Sequence, residues 1–219
     1  MSLLTNAFHT SQFIFPEGGT SLEFGVGWGY SYSWIMNEII VRYPANKLIG
    51  YDSWQGLPDE TDGVWAPTRH AKGAFANSRD KTAKKIPQGD DRFQLVDGFF
   101  SESLTENRQA DISGLVFVNI DVDIHSSTIE VLNYIKPLLR PGVVIYWDDW
   151  KDPKDENPEP WGEHLAWDDW YGNVFDVTVE TLEVNTVNQR TMLVTNVSKK
   201  PGRLSHQRIA EIRYHGLTL

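Results

Sequence analysis

Acidic side chains recur in this sequence at the ends of short apolar runs. Glu23 follows Thr20–Leu22, Asp52 follows Lys47–Tyr51, and Asp97 follows Phe93–Val96. Asp121 and Asp123 follow Leu115–Ile120, and Asp148 and Asp149 follow Val143–Trp147. In an open parallel sheet, ligands collect outside the carboxyl ends of the strands, so these acids are candidates for one shared site. Asp121, Asp148 and Asp149 end neighbouring strands and are expected to converge. Three carboxylates in one cleft raise each other's pKa values unless a cation neutralises them. The chain has no cysteine, so the ligands would all be oxygens, which suits Mg²⁺, Mn²⁺ or Ca²⁺. Asp123, two residues beyond Asp121, could take the proton of a hydroxyl that the metal has acidified. His125 is a rival base, because imidazole ordinarily titrates near neutrality. Asp149 could instead cap the segment that follows it.

A second chemical signal precedes these acids. Leu22-Glu23-Phe24-Gly25-Val26-Gly27-Trp28-Gly29 reads as a strand, a tight glycine turn and the start of a helix that runs from Tyr30 to Tyr43. Glycine lets the backbone turn sharply and lets a ligand approach it, and a helix start offers unpaired N–H groups. The spacing is G-x-G-x-G rather than the G-x-G-x-x-G of dinucleotide turns. Glu23 would repel a diphosphate but could orient an ammonium group. The combination favours S-adenosylmethionine over a nicotinamide dinucleotide. Asp52 is then the natural partner of the ribose hydroxyls, or else a turn acid for Ser53. A nicotinamide-dependent oxidoreductase and a non-catalytic nucleoside-binding protein remain the alternatives.

The elements that must position these groups are legible in outline. Apolar runs at 20–24, 47–51, 93–96, 115–120 and 143–147 alternate with helical patterns, among them Ser126 to Leu139, which implies a parallel sheet with helices on both faces. Val174 to Val184 and Thr191 to Val197 alternate apolar and polar residues, as an antiparallel hairpin does. The expectation is an α/β, Rossmann-like architecture: a mostly parallel seven-stranded sheet closed by a C-terminal hairpin, as a single domain over residues 1–219. Residues 59–89, polar and broken by Gly and Pro, read as a lid-like excursion with one short helix. Five of the nine tryptophans crowd the stretch from Trp147 to Trp170, where they could stack on an acceptor or simply bury area.

At 219 residues, with 40% hydrophobic content and a net charge of −10, the chain suits one buried domain and lacks the basic surface that tracks phosphates. Nucleic acid is not an expected partner, and no membrane span or targeting segment is read. The absence of cysteine fits a cytoplasmic protein, and the expected partner is a small-molecule hydroxyl acceptor. A homo-oligomer is left open.

Several stretches together resemble the macrocin O-methyltransferase family, metal-dependent S-adenosylmethionine enzymes that methylate sugar hydroxyls of natural products. They are Glu23-Phe24-Gly25-Val26 with Gly29 and Ser31, Tyr51-Asp52-Ser53-Trp54-Gln55-Gly56-Leu57-Pro58, Lys72-Gly73-Ala74-Phe75, Ile120-Asp121-Val122-Asp123-Ile124, and Pro141-Gly142 through Asp148-Asp149. The resemblance implies that Asp121, Asp148 and Asp149 hold Mg²⁺ and that Asp123 is the general base. It places Glu23, Gly25, Asp52 and Ser53 along the cofactor, with Gly27, Gly29 and Ser31 in the same turn. Asp97, Gly98 and Phe99 would lie near the adenine. The sequence departs from the family at His125 and Trp150, where a tyrosine is usual. The N-terminal helices that often cover the acceptor in that family are not expected here.

Overall fold

The computed structural model describes residues 2–60, 68–152, 161–174, 176–185 and 188–216. Seven strands form one sheet: β1 (Thr20–Phe24), β2 (Lys47–Asp52), β3 (Phe93–Asp97), β4 (Leu115–Ile120), β5 (Val144–Trp147), β6 (Val177–Val184) and β7 (Arg190–Val197). Their spatial order is β3-β2-β1-β4-β5-β7-β6. The first five are parallel and the β6–β7 hairpin joins antiparallel to β5, which is the expected Rossmann-like methyltransferase arrangement. Between β1 and β4 the chain reverses its direction of travel across the sheet, and such a switch point opens a crevice at the strand ends.

Side-chain alternation explains the layering. In β5, Val144 and Tyr146 join the core beneath helices α1 (Leu3–Ile14), α2 (Tyr30–Val41) and α8 (His206–Gly216), whereas Ile145 and Trp147 join the core beneath α6 (His125–Ile135) and α7 (Gly162–Tyr171). Strands buried on both faces read as continuous apolar runs, as β4 and β5 do. The short helices α3 (Arg79–Ala83), α4 (Phe100–Ser103) and α5 (Glu106–Ala110) lie between β2 and β4.

A helix that the sequence pattern did not reveal stands before β1. Ser2 caps α1 by accepting the Thr5 N–H, and Phe8 of α1 packs edge-on to Phe117 with ring centroids 5.5 Å apart. This helix packs on the sheet and against α8, and none of its residues lines the cavity beside the strand ends. The helical pattern from Ser126 also ends earlier than read. Pro137 has no N–H to donate and disfavours a helical residue before it, so α6 stops at Ile135 and a short 3₁₀ turn, Lys136–Leu138, follows. Of the 59–89 excursion, residues 61–67 lie outside the described residues; a 3₁₀ turn at Thr68–His70 and helix α3 are its regular parts.

Candidate active site

The parallel ladder runs one step past the strand ends and thereby sets the acids side by side. Asp121 N donates to Phe24 O, Asp148 N donates to Ile120 O, and Gly98 N donates to Asp52 O, all between 3.0 and 3.1 Å. Ile120 stands opposite Trp147, so Asp121 and Asp148 are adjacent at the next step. Asp121, Asp148 and Asp149 each offer a carboxylate oxygen, and these atoms lie within 4.8 Å of one another. Burial, and after it the charges of Asp148 and Glu163, push the Asp121 carboxyl well above the usual carboxylate range. A divalent cation would relieve that repulsion, and the all-oxygen donor set suits Mg²⁺ or a similar hard ion.

The surroundings of the triad are specific. Tyr146 Oη and Gln189 Nε2 donate to Asp148 Oδ1, each at 2.7 Å, and the Lys151 ammonium pairs with Asp149 Oδ1. Glu163, fully buried in the first turn of α7, accepts the Val122 N–H through Oε1 at 3.0 Å and the Asp149 N–H through Oε2 at 3.1 Å. One carboxylate therefore ties the loop after β4 to the loop after β5. Sequence reading passed over Glu163, because a glutamate in a helix's first turn looks like an ordinary dipole partner. Lys151 and Trp161 form an antiparallel bridge just before α7.

A cavity of about 880 Å³ opens beside the triad. Gly25, Gly27, Ser31, Asp52 and Ser53 line one side of it, Gly98 and Phe99 another, and Asp121, Asp123 and Asp149 a third. Gly27 is left-handed (φ +53°), and a Cβ there would meet nothing within 4 Å, so its backbone faces open space. Asp52 accepts the Gly27 N–H through Oδ2 at 2.7 Å and the Trp54 N–H through Oδ1 at 2.6 Å, which holds both the glycine turn and the turn after β2. Ser53 Oγ donates to Gly56 O.

Other predicted residues stand off the cavity. Asp148 lies behind the wall. Gly29 caps α2. Asp97 is taken up by Trp54 Nε1 at 2.9 Å and Arg79 Nε at 2.6 Å on the exposed side. His125 does not reach the cavity either: its Nε2 lies 2.8 Å from Asp169 Oδ2 of α7, while its backbone N–H donates to Glu60. The reason is positional, since a side chain at the first residue of α6 is directed by the helix toward the neighbouring α7. The geometry thus argues against His125 as a base. His70, unremarked in the sequence, does line the cavity. The crowded tryptophans are core: Trp147, Trp150, Trp167 and Trp170 are buried together, and Trp161 packs against His70.

Glu23 lies beneath the cavity floor rather than in its wall. Its Oε1 accepts the Ser31 hydroxyl at 2.7 Å, and its buried Oε2 has no hydrogen-bond partner. Burial is the main reason that its pKa is pushed up to about 8. An orphaned carboxylate oxygen under Ser31 is the environment a bound ammonium would satisfy. A ligand that paired with Glu23 would lower its pKa again, and its binding below about pH 8 would then release a proton. Calorimetry of S-adenosylhomocysteine at pH 7 in two buffers of different ionisation enthalpy should report proton release in the wild type and none in Glu23→Gln.

Comparison with known proteins decides the family. A model described as a methyltransferase domain matches residues 22–150. The chain belongs to this methyltransferase family. No curated protein sequence matches it. Among solved structures, this methyltransferase is similar to CalS11, a calicheamicin methyltransferase (21% identity, 87% of this chain and 77% of that one, TM-score 0.67). It is similar to the O-methyltransferase NovP (20% identity, 87% and 78%, TM-score 0.65) and to an O-methyltransferase from Bacillus cereus solved with S-adenosylhomocysteine (18% identity, 89% and 81%, TM-score 0.55). Among the described residues, no helix of the methyltransferase is long and apolar enough to cross a membrane.

Proposed function

We propose that this methyltransferase transfers the methyl group of S-adenosylmethionine to a hydroxyl of a sugar or another polyhydroxylated small molecule, assisted by a divalent cation. The observation that carries the reading is the juxtaposition of three carboxylates within 4.8 Å with a cavity walled by the glycine turn, Asp52 and Phe99. The Bacillus cereus enzyme was solved in complex with S-adenosylhomocysteine and TomG in complex with S-adenosylmethionine, and CalS11 in its apo form is described as a TDP-rhamnose 3'-O-methyltransferase; these relatives support the cofactor and the acceptor class.

In this reading, the open backbone at Gly27 admits the cofactor and Asp52 meets its ribose. Gly98 and Phe99 stand near the adenine, and Ser31 over Glu23 meets the ammonium end. Asp121, Asp148 and Asp149 would hold the cation, which when bound lowers the proton affinity of a coordinated hydroxyl. The sulfonium already carries an activated methyl group, so the protein's task is alignment of the oxygen with that carbon. The S–CH₃ bond breaks as the O–CH₃ bond forms, and the hydroxyl proton leaves toward the wall that carries Asp123. S-adenosylhomocysteine should bind saturably in calorimetry and NADH should not. Binding of NADH alone would overturn the reading in favour of an oxidoreductase, and nucleoside binding without turnover on any polyol would mark a non-catalytic relative.

A further inference from the structure

Two loops lock to each other beside the cavity, the turn after β2 and the segment before α3. Leu57 N donates to Ala74 O at 2.9 Å, Gly73 N donates back to Leu57 O at 2.8 Å, and Asn77 N donates to Trp54 O at 3.3 Å. Gly56 (φ +82°) permits the contact, since a Cβ there would lie 2.3 Å from Ala74 O. What this lock fixes in place is Phe75. Its backbone is left-handed (φ +63°), an outlier for a bulky residue and a strain that persists only where the surrounding structure over-determines it. Its side chain nevertheless lines the cavity, and the residue is 54% exposed. Trp28 and Tyr30 are exposed at the cavity too, but the Lys81 and Lys85 ammoniums lie over their rings at 4.6 and 5.7 Å. Among the described residues, the one ring contact of Phe75 is with His70, 5.7 Å between centroids. His70 Nε2 in turn lies 3.1 Å from Asp123 Oδ1, so Phe75 stands within two contacts of Asp123.

An exposed ring on a strained backbone gives the fold little, and local rules are broken chiefly at functional sites. The face of an aromatic ring carries partial negative charge and attracts the partly positive C–H groups along one face of a pyranose. Arg69 and Ser126 line the same cavity, and an apolar surface with a few polar groups around it is the make-up of a site that orients a small molecule. Resting on the methyltransferase reading above, we propose that Phe75 is the acceptor platform: its ring stacks on the C–H face of a pyranose and so presents a hydroxyl of that sugar to the triad. Phe75 determines which acceptor binds and not whether S-adenosylmethionine does.

Methyl α-L-rhamnopyranoside and methyl β-D-glucopyranoside serve as probes, titrated into the protein loaded with S-adenosylhomocysteine and Mg²⁺ and followed by NMR. Sorbitol, an open-chain polyol with hydroxyls but no ring face, is the control. At least one pyranoside should bind the wild type with the C–H protons of one face shifted upfield, and sorbitol should bind at least about tenfold more weakly. Phe75→Gly should weaken that pyranoside about tenfold or more, whereas Phe75→Trp should stay within about threefold, and both should keep S-adenosylhomocysteine affinity within about threefold. Phe75→Gly also relieves the left-handed strain, so it should melt within about 4 °C of the wild type. Unchanged pyranoside affinity in Phe75→Gly, an equal loss in Phe75→Trp, a larger fall in melting temperature, or no pyranoside binding by the wild type overturns the proposal. A wild type that binds no S-adenosylhomocysteine would sink the methyltransferase reading itself, and the platform with it.

Discussion

Asp121→Asn is expected to bind S-adenosylhomocysteine as the wild type does and to lose about 10²–10⁴-fold in methyl transfer, the several kcal/mol that a Lewis-acidic ion supplies. The substitution is nearly isosteric and removes charge from a group that burial and Asp148 already disfavour as an anion, so the fold should survive it. What it removes is one of three oxygens within 4.8 Å. Mn²⁺ titration followed by electron paramagnetic resonance should show tight binding by the wild type, made stronger by S-adenosylhomocysteine, and weak binding by the variant. Turnover unchanged by EDTA, or by the substitution, would remove the cation from the proposal.

Among the described glycines, Gly25→Ala should be the most damaging change. Gly25 has φ +82°, and a Cβ built there would lie 1.7 Å from the carbonyl oxygen of Asp121. The clash is backbone against backbone, so neither a rotamer change nor a side-chain shift relieves it. The strand ends would have to part, breaking the ladder bonds from Gly25 N to Tyr51 O and from Asp121 N to Phe24 O. Left-handed strain and overpacking each cost about 1–3 kcal/mol, so a loss of about 4 kcal/mol or more in chemical denaturation is expected, or no soluble protein. Gly27→Ala serves as the control: its added methyl meets no atom within 4 Å, so only the backbone strain remains and the effect should fall on cofactor affinity.

The difference between these two glycines shows how far the sequence could be read. The G-x-G-x-G spacing announced a turn and a ligand, but not which glycine serves packing and which serves the cofactor; that depends on Asp121, which is distant in sequence. The strands were legible because burial on both faces leaves apolar runs such as LVFVNI, and the acids were legible because they end those runs. The hairpin was legible from its alternation. Helix α1 was not, since its buried face includes His9, Thr10, Ser11 and Gln12 and shows little apolar periodicity. His70 and Glu163 were missed for a related reason. Each acts through long-range contacts, to Asp123 and to the Val122 and Asp149 amides, and nothing local in the sequence marks such a contact. His125, conspicuous beside Asp123, was drawn off by Asp169.

The Lys151–Trp161 bridge and the Glu163 carboxylate fasten both margins of the insertion between β5 and α7 to the triad loops. A single side chain thus sets the spacing of two triad members at once, so a substitution at Glu163 must be felt at Asp121 and Asp149 together.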